Sequence, residues 1–255
     1  MLLCVDIGNT NIVLGLWDGD RWLANWRVRT VRDQMPDEYA MMLKTLLQDR
    51  GYEFGQVSRV VLASVVPPLT TTFTELFGRY LVAELLAVGP GVRSGMRIRI
   101  DNPVELGADL VANAVAAFER FDQACIIVDF GTATTFSAVS QDGDFVGVAI
   151  APGLGVAAEA LASRTAQLPR VRLVAPPAAI GKNTVHSMQS GLVFGYVGLV
   201  EGLISRIRTE LGGKATVVAT GGLSRVLSPL TDQIDFIDPW LTLEGLRLIA
   251  QRNVD

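Results

Sequence analysis

Two distant stretches of this chain carry the same polar corner at the end of an apolar run. The first reads Cys4-Val5-Asp6-Ile7-Gly8-Asn9-Thr10-Asn11-Ile12-Val13, and the second Val128-Asp129-Phe130-Gly131-Thr132-Ala133-Thr134-Thr135. In the first, Leu2 to Val5 reads as a buried strand that ends on a carboxylate. Gly8 lets the backbone turn tightly and approach a ligand closely. Asn9, Thr10 and the exposed N–H groups of such a turn are donors suited to phosphate oxygens. Asp6 only accepts hydrogen bonds, so beside a phosphate its use is as a ligand of Mg²⁺ or of Mg²⁺-bound water. One Asp-x-Gly alone would equally describe an ordinary hairpin corner. The repetition argues otherwise. Asp6 and Gly8 match Asp129 and Gly131, and Asp18-Gly19-Asp20 matches Asp142-Gly143-Asp144, offset by one residue. Asp-Gly between apolar runs is a strong hairpin signal. Two copies of strand, polar turn, strand, Asp-Gly turn, strand imply a duplicated domain with two phosphate-facing hairpins.

The 255 residues allow one large domain or two of moderate size, and the repeat decides for two. Charged residues make up 19%, below the usual share of about 25%, which suits a well-packed globular protein. A net charge of −4 argues against nucleic acid or an anionic membrane as principal partner. Cys4 and Cys125 both sit in apolar runs, as small buried residues of a reducing compartment do. Met1 leads into a strand with no basic segment of a signal peptide, so a cytoplasmic location is expected. The apolar run Gly191–Val200 is half the roughly 20 residues a membrane span needs, and reads as a buried helix. Its glycine pairs Gly191/Gly195 and Gly198/Gly202 each share a helical face and permit close approach of another backbone.

Strands are expected at Ile12–Trp17 and Trp22–Thr30, with Trp22, Trp26 and Val28 on one face of the latter and Arg21, Arg27 and Arg29 on the other. Helices are expected over Pro36–Arg50 and from Pro67, with a strand at Val57–Val66 between them. A short strand at Met96–Ile100 and a helix over Val104–Phe121, entered through a loop at Gly107, follow. The second copy has strands at Ala124–Val128, Thr134–Val139 and Phe145–Ala151, then a helix over Val156–Leu168. A connection at Pro169–Lys182 leads to a long helix from Asn183 to Leu211, interrupted or closely packed at its glycines. A strand at Thr216–Thr220 and a helix at Leu243–Arg252 end the chain.

Gly153, Gly155 and Ala158 approximate a dinucleotide-binding GxGxxA. The acid expected about 20 residues on is missing, since residues 173–178 read Leu-Val-Ala-Pro-Pro-Ala, so that reading fails. No GxxxxGK[ST] occurs. Asp109, in Gly107-Ala108-Asp109-Leu110, has two readings. It either complements the dipole at the start of a helix, or it orients or deprotonates a hydroxyl that attacks a γ-phosphate. Thr184, His186, Ser187 and Ser190 cluster near the start of the glycine-bearing helix, where N–H groups suit an anion. His186 reads as a packing or hydrogen-bonding residue. Gly221-Gly222 after a strand leaves a bare backbone that could admit a flat adenosine.

Together these stretches resemble the type III pantothenate kinase family, a branch of the acetate kinase/Hsp70/actin-type ATPases. The motifs that carry the resemblance run the length of the chain: Asp6–Thr10, Asn102-Pro103 with Gly107–Asp109, Asp129–Thr134, Pro152–Gly155, Asn183-Thr184 with Met188–Gly191, and Gly221-Gly222. The resemblance implies an α/β fold of two actin/ribonuclease-H-like domains, 1–105 and 106–255. Each would be a mixed sheet with flanking helices, with a nucleotide cleft between them. It implies ATP-dependent phosphorylation of pantothenate to 4′-phosphopantothenate, the entry step of coenzyme A synthesis. ATP would be held by Asp6, Ile7, Gly8, Asn9, Thr10, Asn11, Ile12, Val13 and Thr132, with Mg²⁺ at Asp6. Asp109 would be the general base and Asp129 the site of K⁺ or NH₄⁺. Ile100, Gly107, Ala108, Asp109, Leu110 and Thr184 would contact pantothenate, in a homodimer whose pocket is completed across the interface.

Two positions depart from that family's pattern, and both concern the substrate. The residue after the base is usually Arg and is here Leu110; the aromatic position before Asn-Pro is usually Tyr and is here Ile100. Arg97 or Arg99 is a candidate to meet the pantothenate carboxylate instead. The alternatives are a divergent homologue acting on another hydroxylated small molecule, and a non-catalytic nucleotide-binding regulator.

Overall fold

A computed structural model describes residues 1–254. The chain divides into two compact units. The first comprises Met1–Met96, Asp101–Ala116 and Leu241–Asp255, and the second Arg97–Ile100 and Ala117–Trp240.

In the first unit, strands β1 (Leu2–Ile7), β2 (Asn11–Trp17), β3 (Trp22–Arg29), β4 (Arg59–Ser64) and β5 (Glu84–Ala87) form a sheet ordered β3-β2-β1-β4-β5. β1 is antiparallel to β2 and parallel to β4. Alternation sends Leu3, Val5 and Ile7 into a core with helices α1 (Pro36–Asp49) and α2 (Pro67–Tyr80), through Tyr39, Leu43, Leu69 and Phe73. Both helices start where the sequence expects, on a proline whose missing N–H costs nothing at the first position. At the α1 start, Met35 N donates to the Glu38 carboxylate at 2.8 Å.

The second unit holds β6 (Arg97–Ile98), β7 (Cys125–Phe130), β8 (Ala133–Val139), β9 (Asp144–Pro152), β10 (Thr216–Thr220) and β11 (Phe236–Ile237). Their order is β11-β10-β7-β8-β9-β6. Without β6, this is the order of the first sheet, strand for strand, with the same parallel and antiparallel pairings. Even the irregularity repeats: the β2–β3 ladder shifts register between Leu16 and Trp17, and the β8–β9 ladder between Ala138 and Val139. The expected α/β duplication is therefore present in topology and in detail.

Helices α4 (Leu154–Ser163), α5 (Thr184–Gln189) and α6 (Gly195–Glu210) cover the second sheet, with α7 (Ser224–Leu227) after β10. A π-helical turn at Ser190–Phe194 joins α5 to α6, so 184–210 is one long helix. α3 (Ala108–Phe121) passes from the first unit into the second, and α8 (Leu241–Arg252) returns to the first. Within the first unit Gly245 of α8 lies against the Ala112 carbonyl of α3, so closely that any Cβ would collide with it.

Three expectations are corrected. The register shift makes Leu23 the extra residue of β3, which sends Trp22 to the face opposite Trp26. There Trp22 packs on Gly15 and Leu243 and donates to Glu244 at 3.2 Å. The helix expected to reach Leu168 ends at Ser163. Only Leu154 of it is buried, so it has no apolar face to extend. The glycine-bearing helix is buried on one face only, through Val193, Tyr196, Val197, Val200 and Ile204; Gly191, Gly195 and Gly198 are exposed. This helix is long and apolar enough to cross a membrane by length and composition, yet its apolar side packs on the second core.

Candidate active site

Because Leu3, Val5 and Ile7 face the first core, Asp6 faces the other side of the sheet, at the end of β1. It lies opposite Val13 on β2 and Ala63 on β4, and is half-buried. Gly8 N donates to Asn11 O at 3.0 Å and closes the turn, leaving Asn9, Thr10 and Asn11 exposed. Ile7 and Ile12 are fully buried, so toward a ligand they can offer only backbone.

The strip after β3 carries no motif in the sequence, yet it holds this turn. Thr30 Oγ1 donates to Gly8 O at 2.7 Å, Thr30 N to Thr10 O at 3.0 Å, and Arg32 Nη2 to Asn9 Oδ1 at 2.8 Å. The strip is itself fixed by Tyr39, whose buried hydroxyl accepts from Val31 N at 3.0 Å and donates to Val31 O at 2.9 Å. Its only signal in the sequence is a hydroxyl and a cation one residue apart past a strand, which is too common to mean anything alone.

Asp129 occupies the matching place at the end of β7, opposite Thr135 and Thr220. Gly131 N donates to Ala133 O at 3.1 Å, so this turn is one residue shorter than the first. Thr132 is exposed, and its carbonyl accepts from Gly153 N at 3.0 Å. Gly221, with φ of 86°, lies directly on the Asp129 carboxylate and the Phe130 backbone, where no side chain would fit. The Tyr196 hydroxyl donates to Pro152 O at 2.7 Å and sits 2.6 Å from Thr134 Oγ1, tying α6 to the strands behind the corner.

Asp109 stands in the first turn of α3, half-buried, and its Oδ1 accepts from Leu110 N at 2.9 Å. Its carboxylate folds back over Gly107, and a Cβ on Gly107 would touch Val65, whose N–H donates to Ile7 O at 3.0 Å. The Gly107–Leu110 turn is thereby brought to the end of β1 where Asp6 sits. Burial pushes the Asp109 pKa above the ordinary carboxylate range, against the smaller opposing effect of the Leu110 N–H. Two exposed carboxylates, Asp18 and Asp37, are displaced downward by hydrogen bonds, to the Arg21 N–H and the Tyr80 hydroxyl respectively. A helix dipole acts to lower a carboxylate pKa, and at Asp109 burial is the larger effect.

Ile100 is half-buried just after β6, and Thr184 is exposed at the start of α5. Asn183 caps that helix, accepting from His186 N at 2.9 Å, and its amide lies 3.3 Å from His186 Nδ1. His186 is thus occupied by the cap. Arg97 and Arg99 both bind buried Asp144, at 2.6 and 2.5 Å through their Nε atoms, one on each carboxylate oxygen. Their primary partner is this carboxylate. Burial pushes both thiols up, that of Cys125 to about 12, so neither is a nucleophile near neutral pH.

Among the described residues no group of three or more His, Cys, Asp or Glu side chains is arranged to hold a metal. Asp6 and Asp129 are therefore single carboxylates at turns.

Two copies of one sheet, each with an aspartate near the end of its central strand before a glycine turn, define an actin-type α/β fold. Solved structures agree on the fold: a protein described as a Baf family transcriptional activator from Campylobacter jejuni superposes with TM-score 0.61 at 17% identity, covering 98% of each chain. The inorganic polyphosphate/ATP-glucomannokinase from an Arthrobacter strain does so with TM-score 0.50 at 16% identity, over 99% of each. The sequence is more specific. Residues 2–206 match the family described as type III pantothenate kinase, and the type III pantothenate kinase of Moorella thermoacetica is 51% identical over 253 residues, 99% of this chain and 100% of that one. This chain belongs to the type III pantothenate kinase family.

Proposed function

We propose that the chain transfers the γ-phosphoryl group of ATP to the primary hydroxyl of pantothenate, giving 4′-phosphopantothenate, the first step of coenzyme A synthesis, in the cytoplasm. The observation that carries the chemistry is Asp109, a partly buried carboxylate of raised pKa in a turn seated at the Asp6 end of β1. As base, Asp109 takes the hydroxyl proton while that oxygen attacks the γ-phosphorus and ADP leaves with the bridging oxygen's electrons. Asp6–Val13 and Thr132 hold the phosphates with N–H and hydroxyl donors, and Asp6 would ligate Mg²⁺, whose charge would offset that of the phosphates. Asp129 would hold K⁺ or NH₄⁺. Ile100, Gly107, Ala108, Leu110 and Thr184 contact pantothenate. A second copy of the chain covers the open glycine face of the α5–α6 helix, where a Cβ added at Gly191, Gly195 or Gly198 would meet nothing within 4 Å.

The test is formation of phosphopantothenate, detected by mass, from ATP and millimolar pantothenate. Product should form faster in K⁺ than in Na⁺. Equal rates in the two salts would remove the cation role from Asp129, and no product in K⁺ would overturn the proposed reaction.

Leu110 is buried, so where the family usually places a guanidinium this chain has hydrocarbon. Leaving the pantothenate carboxylate without that partner weakens binding by about 2–5 kcal/mol. Leu110→Arg, alone or with Ile100→Tyr, is expected to lower the KM for pantothenate about tenfold or more, with KM for ATP unchanged. If the pocket has been remodelled for another alcohol, the double variant will instead acquire a pantothenate activity that the wild type lacks.

A further inference from the structure

A turn that binds phosphate has to present donors and turn its acceptors away. In the Gly8–Thr10 turn both requirements are met by residues outside the motif. Thr30 occupies two of the turn's carbonyl oxygens, Gly8 O through its hydroxyl and Thr10 O through its N–H. Arg32 acts on the remaining residue. A guanidinium has only donors, so Asn9 must present its oxygen to Arg32, and the end of the amide left for a ligand is the NH₂. Among the described residues Arg32 makes no ion pair, and its one hydrogen bond leaves donors of the guanidinium unused. The second copy shows that this is an addition to the fold. There the residue equivalent to Thr30 is Gly153, which repeats the backbone bond, to Thr132 O at 3.0 Å, but brings no hydroxyl. A side chain at 153 would strike the carbonyls of Gly131 and Thr132.

We infer that Thr30 and Arg32 belong to the nucleotide site: Thr30 is a positioning residue that fixes the donor-out geometry of the Gly8–Thr10 turn, and Arg32 is a binding residue for the ATP polyphosphate that also sets the direction of the Asn9 amide. This deepens the kinase reading and rests on the Gly8–Thr10 turn being the phosphate turn. Guanidinium and phosphate match in charge and in paired-donor geometry. The support from Tyr39 gives the strip the rigidity such a contact requires.

The inference is tested by calorimetric titration with a non-hydrolysable ATP analogue and Mg²⁺, alongside steady-state kinetics. Arg32→Gln should weaken analogue binding and raise KM for ATP about 10- to 100-fold, leaving KM for pantothenate unchanged. Arg32→Lys should recover part of the loss. The gap between the wild type and Arg32→Gln should narrow at high salt, since the contact is exposed. Thr30→Val keeps shape and removes the hydroxyl donor. It should weaken binding about three- to tenfold, with Thr30→Ser close to wild type. Unchanged analogue affinity in Arg32→Gln and Thr30→Val, while Asp6→Ala abolishes Mg²⁺-dependent turnover, overturns this inference alone. Unchanged affinity and turnover in all three variants overturns the phosphate assignment of the turn with it.

Discussion

Asp6→Ala is expected to lower kcat/KM for ATP by about 10²–10³-fold or more, and to do so without loss of the fold. Asp6 is the penultimate residue of β1, on the face away from the first core, and that core is built from Leu3, Val5, Ile7 and their partners. Removing its carboxylate creates no cavity in that core and leaves the strand ladder intact. On the proposed reading, what is lost is the acidic group that would ligate Mg²⁺ at the phosphate turn. Mg²⁺ would then be held by the nucleotide and water alone, and the charge that builds on the phosphoryl oxygens would lose part of its compensation. Asp6→Asn, which keeps size and hydrogen bonding, should fall nearly as far, because the missing element is charge. Kinetics at several Mg²⁺ concentrations with a thermal melt of each variant check this. Wild-type kcat and KM in Asp6→Ala would remove Asp6 from the reaction.

How far such a site can be read from sequence depends on whether its signal is repeated or solitary. β1 and β7, their hairpins and the two aspartates are legible because apolar run, aspartate and glycine occur twice, and the two sheets agree in order and pairing. The register shift at Leu16/Trp17 is not legible. Period-two alternation assumes an unbroken ladder, and one extra residue moves Trp22 to the other face. β5 escapes for a plainer reason: four residues at a sheet edge, none fully buried, carry no alternation to detect. The glycine helix reads as buried because composition averages over its circumference, whereas packing chooses a side. Thr30 and Arg32 lie about twenty residues in sequence from the turn they contact, and only the β2–β3 pairing brings them there. Leu110 and Ile100 are visible as departures only against the family pattern. Their residue types alone say nothing.

Asp109→Asn should lower kcat by about 10²–10⁴-fold while ATP binding stays near wild type. Asparagine keeps an oxygen for the Leu110 N–H, so the turn is retained, but it cannot take the hydroxyl proton. The raised pKa gives two further expectations, each with a definite sign. The base works only when ionised, so wild-type kcat should rise with pH through a value above the ordinary carboxylate range, and the residual rate of the Asn variant should lack that limb. For stability, a folded-state pKa above the unfolded one means that the fold binds this proton more tightly than the unfolded chain does. The favourable contribution is complete below the ordinary carboxylate pKa and is lost as pH rises through the folded value. At pH 8 the ionised Asp109 therefore costs stability. Asp109→Asn should melt at the same temperature as wild type or higher at pH 8, with any gain vanishing toward pH 4. A residue kept for the helix dipole would give the reverse, a lower melting temperature with near-normal kcat. Loss of activity together with equal or greater stability is the result that assigns Asp109 to the chemistry, because only a group held in an unfavourable place for its function gives both.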